Sequence, residues 1–178
     1  EIMDAARTLE PSWRNELEIT EAIQVLIDRG RPVTSEIVDG WWKDTGQLED
    51  MLAANRLVLE EIAPAIEGDV GDSKVEGRVV VSPGAVLRGS VVRGPAVIGP
   101  DAVVEDSYVG PYTSIGEGVV VRRSEVEHSI LLSGSRVEDL GARMEASLLG
   151  RDASVVRTDS LPRTLKLLVG DRSRIEIV

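Results

Sequence analysis

From Val75 onward the chain repeats itself every 17 residues, in steps of six, six and five. Val75, Val92, Val109 and Val126 share one phase. Val81, Ile98, Ile115, Leu132 and Leu149 share a second, and Leu87, Val104 and Val121 a third. Gly99, Gly110, Gly116 and Gly150 each follow a phase-bearing aliphatic, and Ala85, Ala96, Ala102, Thr113 and Ala153 stand four residues after one. A short fixed period is the signature of a stacked solenoid, whose repeats can bury their apolar faces only against their neighbours. Three phases predict three short strands per turn, one aliphatic from each aimed at the axis, with small or turn-forming residues at the corners. The backbone edges of one turn are then satisfied by the next at about 4.8 Å spacing, and residues 75 to 159 make about five turns. Even strand spacing also suits an all-β sandwich, but sandwich strands seldom keep one period for so long.

The pattern resembles the left-handed parallel β-helix of hexapeptide-repeat proteins. The hand comes from that resemblance, since the general rule for parallel crossovers gives the opposite one. Composition fits a narrow aliphatic interior: 3% of the residues are aromatic and there is no Phe. There is also no Cys, which removes disulfides and thiolate chemistry and suits a cytoplasmic setting. Net charge is −11 but uneven, with 7 basic and 17 acidic side chains in residues 1–74 and 13 and 14 in residues 75–178. No Lys/Arg cluster marks a nucleic-acid or anionic-membrane surface, and no apolar run reaches the roughly 18 residues of a membrane span.

Ahead of the repeat, Met3 to Leu9 reads as a short helix ended by Pro11. A second helix from Glu21 to Arg29 is capped by Thr20 and stopped by Gly30, with Ala22, Ile23, Leu26 and Ile27 as its apolar face. Pro32 to Val38 reads as a strand, and Gln47 to Ile62 as a third helix with Leu48, Met51, Leu52, Leu59 and Ile62 on one stripe. Glu67 to Ser73 reads as a polar linker, and Val169 to Ile175 as a last strand. The chain begins with Glu1 in what reads as the middle of a helix, and its lone strand needs a sheet to pair with, so a fragment of a longer protein is expected.

Two segments are similar to sugar-1-phosphate nucleotidyltransferases. One is Glu16-Leu17-Glu18-Ile19-Thr20-Glu21-Ala22-Ile23, preceded by Pro11-Ser12-Trp13-Arg14; the other is Trp42-Lys43-Asp44-Thr45-Gly46, followed by a helix. Both resemble the end of the catalytic domain of glucose-1-phosphate thymidylyltransferases, and a β-helical tail resembles the long form of these enzymes. The resemblance implies a mainly β chain: residues 1–74 as the C-terminal α/β remnant of a nucleotidyltransferase domain, and 75–178 as a left-handed β-helix domain. It implies transfer of a nucleotidyl group, dTMP from dTTP, to glucose 1-phosphate, giving dTDP-glucose and pyrophosphate. Related adenylyl-, guanylyl- and uridylyltransferases are the near alternatives. Such a transfer depends on charge neutralisation and in-line positioning, so the resemblance also brings Mg²⁺.

By the same resemblance Asp44 is the Mg²⁺ ligand, and Trp42 lines the sugar side of the cleft, with Glu16 as a second substrate-binding residue. Each has a plainer reading. Asp44 or Thr45 could cap the following helix, Trp42 could simply pack, Glu16 and Glu18 could face a domain interface, and Glu18 could help Thr20 start the second helix. Asn15 stands where the family pattern has Gly. The family's Gly-rich triphosphate loop and its basic residues are missing, so the chain alone is not expected to turn over. The partners implied are a sugar 1-phosphate, a nucleoside triphosphate and further copies of the chain in a homo-oligomer. A rival reading is a hexapeptide-repeat acyltransferase with His128, the sole histidine, as base.

Overall fold

The computed structural model describes residues 1–40, 42–43, 45, 48–159, 161–162, 165–167 and 173–177. The chain divides into two units, Glu1–Trp42 and Lys43–Val178. In the first, α1 (Ile2–Ala6) and α2 (Ile19–Asp28) pack together around the buried Ala5 and Ala22. The second helix begins earlier than the Thr20 cap predicted. Glu18 holds the N-cap position in extended geometry and makes no side-chain cap bond. Its carboxylate instead accepts the Ser12 hydroxyl at 3.1 Å. Residues 32–38, expected as a strand, form none, because no neighbouring segment pairs with them.

In the second unit, α3 (Leu48–Glu60) buries Leu52 and Leu59 and leads into a parallel β-solenoid of about five turns. One face stacks Ala65–Ile66, Val79–Val81, Ala96–Ile98, Thr113–Ile115, Ile130–Leu131 and Leu148–Leu149. The second stacks Lys74–Glu76, Val91–Arg93, Tyr108–Val109, Glu125–Glu127 and Met144–Glu145. The third stacks Val86–Arg88, Val103–Glu105, Val120–Arg122, Arg136–Glu138 and Ser154–Val156. The solenoid therefore starts ahead of Val75. Within the stretch read as a linker, the Leu87 amide donates to the Asp69 carbonyl at 2.8 Å, and the Asp69 amide to Ala85 at 2.9 Å.

Side chains in register build the core. Val75, Val92, Val109, Val126 and Met144 form one column, and Leu87, Val104, Val121, Val137 and Val155 another. The remaining column is Val81, Ile98, Ile115, Leu131 and Leu149. Leu131 is thus the inward residue, at 1% exposure, where a strict 17-residue period chose Leu132, which is 39% exposed. The cause lies at the corners: Val109 to Ile115 spans six residues, but Val126 to Leu131 only five. Each fully buried aliphatic contributes roughly 1.5–3 kcal/mol, so these columns are the main source of the unit's stability.

Polar corners add a second, hydrogen-bonded column. Ser90, Ser107 and Ser124 each donate a hydroxyl to the carbonyl two residues back, at 2.7, 2.6 and 2.8 Å. Each hydroxyl also accepts an amide from one turn on: Ser90 from Ser107, Ser107 from Ser124, and Ser124 from Leu140, at 3.1–3.2 Å. Ser73 opens the column by accepting the Ser90 amide at 3.1 Å. At another corner Gly99 and Gly116 stack so closely that a Cβ on Gly99 would lie 2.8 Å from backbone atoms of the turn beyond. The last strand expected from Val169 to Ile175 falls largely outside the described residues.

Candidate functional site

The Glu-Leu-Glu-Ile-Thr segment follows a tight turn. The Ser12 amide donates to the Glu16 carbonyl at 2.8 Å, and the Asn15 amide to the Ser12 carbonyl at 2.8 Å. Asn15 adopts φ +61°, the left-handed region that Gly enters freely and Asn tolerates better than most residues. The departure from the family pattern therefore preserves the turn. Glu16 presents its carboxylate to solvent, whereas Glu18 is held by Ser12, so the two acids do different work despite their alternation. Trp13 is also exposed, with the Arg14 guanidinium 5.2 Å from its ring centre.

Trp42 is 79% exposed, so packing within its own unit does not account for it. Among the described residues no hydrogen bond or ring contact joins it to Glu16. Asp44 lies outside the described residues, as do Trp41, Gly46 and Gln47. Lys43 ion-pairs with Asp50 of α3 at 2.7 Å. Thr45 is exposed. Among the described residues, no group of three or more His, Asp or Glu side chains could hold a metal ion.

Sequence reasoning missed the polar clamp between α3 and the solenoid. The Asn55 side chain donates to the Tyr112 carbonyl at 3.0 Å and accepts the Ser114 hydroxyl at 2.6 Å. The Arg56 guanidinium lies 4.7 Å from the Tyr112 ring centre and pairs with Glu60 at 3.2 Å. Arg78, from the solenoid, donates to the Glu60 carbonyl. The bond to Glu60 and the neighbouring Tyr112 together hold the Arg56 guanidinium above its ordinary value. An advance signal was Tyr112 itself, one of two tyrosines in a chain only 3% aromatic.

His128 sits at a left-handed corner, φ +45°, with its ring edge-on to Tyr112 at 6.3 Å. Among the described residues the solenoid carries hollows of two kinds. A polar one of about 420 Å³ is lined by Asp106, Tyr108, Arg123 and Glu125, and an open one of about 1380 Å³ by Met144, Val155, Val156, Leu161 and Leu165. The polar hollow is also lined by Ser107 and Ser124, whose hydroxyls donate to backbone carbonyls at 2.6 and 2.8 Å. Among the described residues no helix is long and apolar enough to cross a membrane.

The family described as nucleotidyl transferase matches residues 1–61, a span ending one residue past α3. Two glucose-1-phosphate thymidylyltransferases are similar over 99% of this chain: one from Streptomyces antibioticus at 46% identity, and one from Streptomyces griseus at 49%. The chain corresponds to the C-terminal portion of a glucose-1-phosphate thymidylyltransferase-like protein. A low-salt glycan biosynthesis nucleotidyltransferase of Haloferax volcanii is also similar, at 45% identity over 99% of the chain. The chain spans about half the length of these curated relatives, 49% of the first and 50% of the other two. In this thymidylyltransferase-like chain, the stretch matched to the transferase family includes α3, the helix clamped onto the solenoid.

Proposed function

We propose that the chain is the C-terminal part of an enzyme that transfers dTMP from dTTP to glucose 1-phosphate. A phosphate oxygen of the sugar phosphate attacks the α-phosphorus, the bond to the β-phosphate breaks, and pyrophosphate leaves. The similarity to two thymidylyltransferases along almost the whole chain carries this reading. In it, Trp42 and Glu16, both exposed, face the sugar side of a cleft whose triphosphate-binding wall belongs to the other half of the protein. Asp44 contributes one hard oxygen donor to Mg²⁺, and the other half supplies the rest, since the described residues offer no complete ligand set. When bound, the ion supplies charge neutralisation for the departing pyrophosphate. The solenoid serves as a mount for α3 and as the surface through which copies assemble.

The test is a joined protein, with the half of the Streptomyces griseus relative that this chain does not match placed ahead of residue 1. Pyrophosphate release should require both dTTP and glucose 1-phosphate. Turnover with ATP, GTP or UTP in preference would assign a different nucleotidyl group, and no turnover with any triphosphate would refute the reading. In the active protein Asp44→Asn should lower kcat by about 10²-fold or more, the scale of losing an electrostatic contact at the reacting phosphate. Light scattering that found only monomers would remove the assembly role.

A further inference from the structure

The solenoid grips α3 by more than one bond. The Asn55 side chain uses both ends of its amide, donating to the Tyr112 carbonyl at 3.0 Å and accepting the Ser114 hydroxyl at 2.6 Å. A single bond would let the helix turn about it; two bonds, to positions two residues apart, fix its rotation and its height on the stack. The Tyr112 hydroxyl also donates to the Glu60 carboxylate at 3.4 Å, and the Arg56 guanidinium lies 4.7 Å from the same ring centre. Tyr112 does this from φ +60°, a left-handed conformation that Gly enters freely and a bulky residue only at a cost of roughly 1–2 kcal/mol. The contacts of its ring with α3 offset that cost.

A helix is stiff, so what holds its middle also places its start. Asn55 stands seven residues after Leu48, about 10 Å along the axis. Only residues 45–47 separate Leu48 from Asp44, a tether of at most about 14 Å. Lys43 itself pairs with Asp50, in the first turn of α3, at 2.7 Å. We propose that Asn55, Tyr112 and Ser114 are positioning residues for nucleotidyl transfer: through α3, the solenoid sets where Asp44 is presented. This rests on the transferase reading above. Tyr112 and Ser114 lie outside the span 1–61 matched to the transferase family, so part of the alignment comes from the solenoid's own residues. A misplacement of about 1 Å far from the chemistry costs on the order of 10²-fold in rate.

A double-mutant cycle in the joined protein described above tests this. Asn55→Ala should lower kcat by about 10- to 100-fold, whereas in an Asp44→Asn background it should add less than about 3-fold. Losses that multiply would show that Asn55 serves stability alone, and would overturn the proposal. Ser114→Ala leaves the helix sequence intact and removes one of the two bonds, so its loss should be intermediate and should vanish in the same background. An unchanged kcat in Ser114→Ala and Asn55→Ala would also overturn it. Mn²⁺, a paramagnetic ion that takes the oxygen ligands Mg²⁺ takes, gives a readout without turnover. With dTTP present, its affinity by electron paramagnetic resonance should fall at least about 10-fold in Asn55→Ala. Equal affinity in the parent and the variant overturns the proposal. The two readings separate cleanly. Weakened Mn²⁺ binding without pyrophosphate release keeps the clamp and sinks thymidylyl transfer; transfer with Mn²⁺ affinity and kcat both unchanged does the reverse. A joined protein that neither binds Mn²⁺ nor turns over sinks both.

Discussion

One added carbon at Gly99 would meet backbone atoms of the neighbouring turn 2.8 Å away, and backbone cannot swing aside as a side chain can. Gly99→Ala should therefore cost about 1–3 kcal/mol, the usual range for overpacking, read as a lower urea midpoint at unchanged slope. Two buried serines make a sharper pair. Ser107 closes one bond within its turn and one to the next, so Ser107→Ala should strand the Ser124 amide and cost about 1–3 kcal/mol. Ser135 is equally buried, yet among the described residues its hydroxyl has no partner. Ser135→Ala should then be neutral or slightly stabilising, because it removes a desolvated group that bonds to nothing. Equal losses at the two positions would show that volume, not hydrogen bonding, sets the cost.

Among the elements, the strands of the solenoid were the most legible, because a repeated aliphatic at a fixed step has only one use. Legibility failed where a corner changed length: Leu131 and Leu132 are both leucine, and only the shorter corner at His128 decides between them. The strand at 32–38 failed for a different reason. Local preference is written in its residues, but a strand exists only with a partner. The candidate site was legible as a resemblance alone. Among the described residues neither Trp42 nor Glu16 makes a side-chain contact that reveals a role, and the Asn55 clamp joins residues 57 and 59 positions apart with no motif to announce it. That clamp makes a prediction for α3. Asn55→Ala removes both bonds and leaves the Ser114 hydroxyl to find another partner. It should speed exchange of the α3 amides while sparing those of Val104 and Val121, in the core of the solenoid. Uniform acceleration in both regions would mean that the helix and coil open as one, with no separable joint.

For the whole molecule, charge predicts the response to acid. Asp69 is held below its ordinary value first by Arg88 and then by the Gly71 amide. Asp72 is held down by the Gly89 amide, Glu76 by Lys74 and Arg93, and Asp139 by Arg123. A carboxylate depressed in the folded state binds its proton more weakly than in the unfolded chain. Its stabilisation is complete above the ordinary value, 3.8 for Asp, and is lost as pH falls through the lower folded one. Thermal midpoints should hold from neutral pH down to about 5 and then decline, more shallowly in Asp69→Asn. Because these groups face water, high salt should blunt the effect.

The serine column also has a direction. Ser90, Ser107 and Ser124 each accept an amide from the following turn and donate to a carbonyl two residues back, so the series ends wherever a residue without a hydroxyl arrives. That residue is Leu140, and beyond it Val155 and Val156 of the third face are 38% and 46% exposed. Unwinding should accordingly begin at that extremity and travel back toward Ser73, like a zipper whose slider fits at one end only.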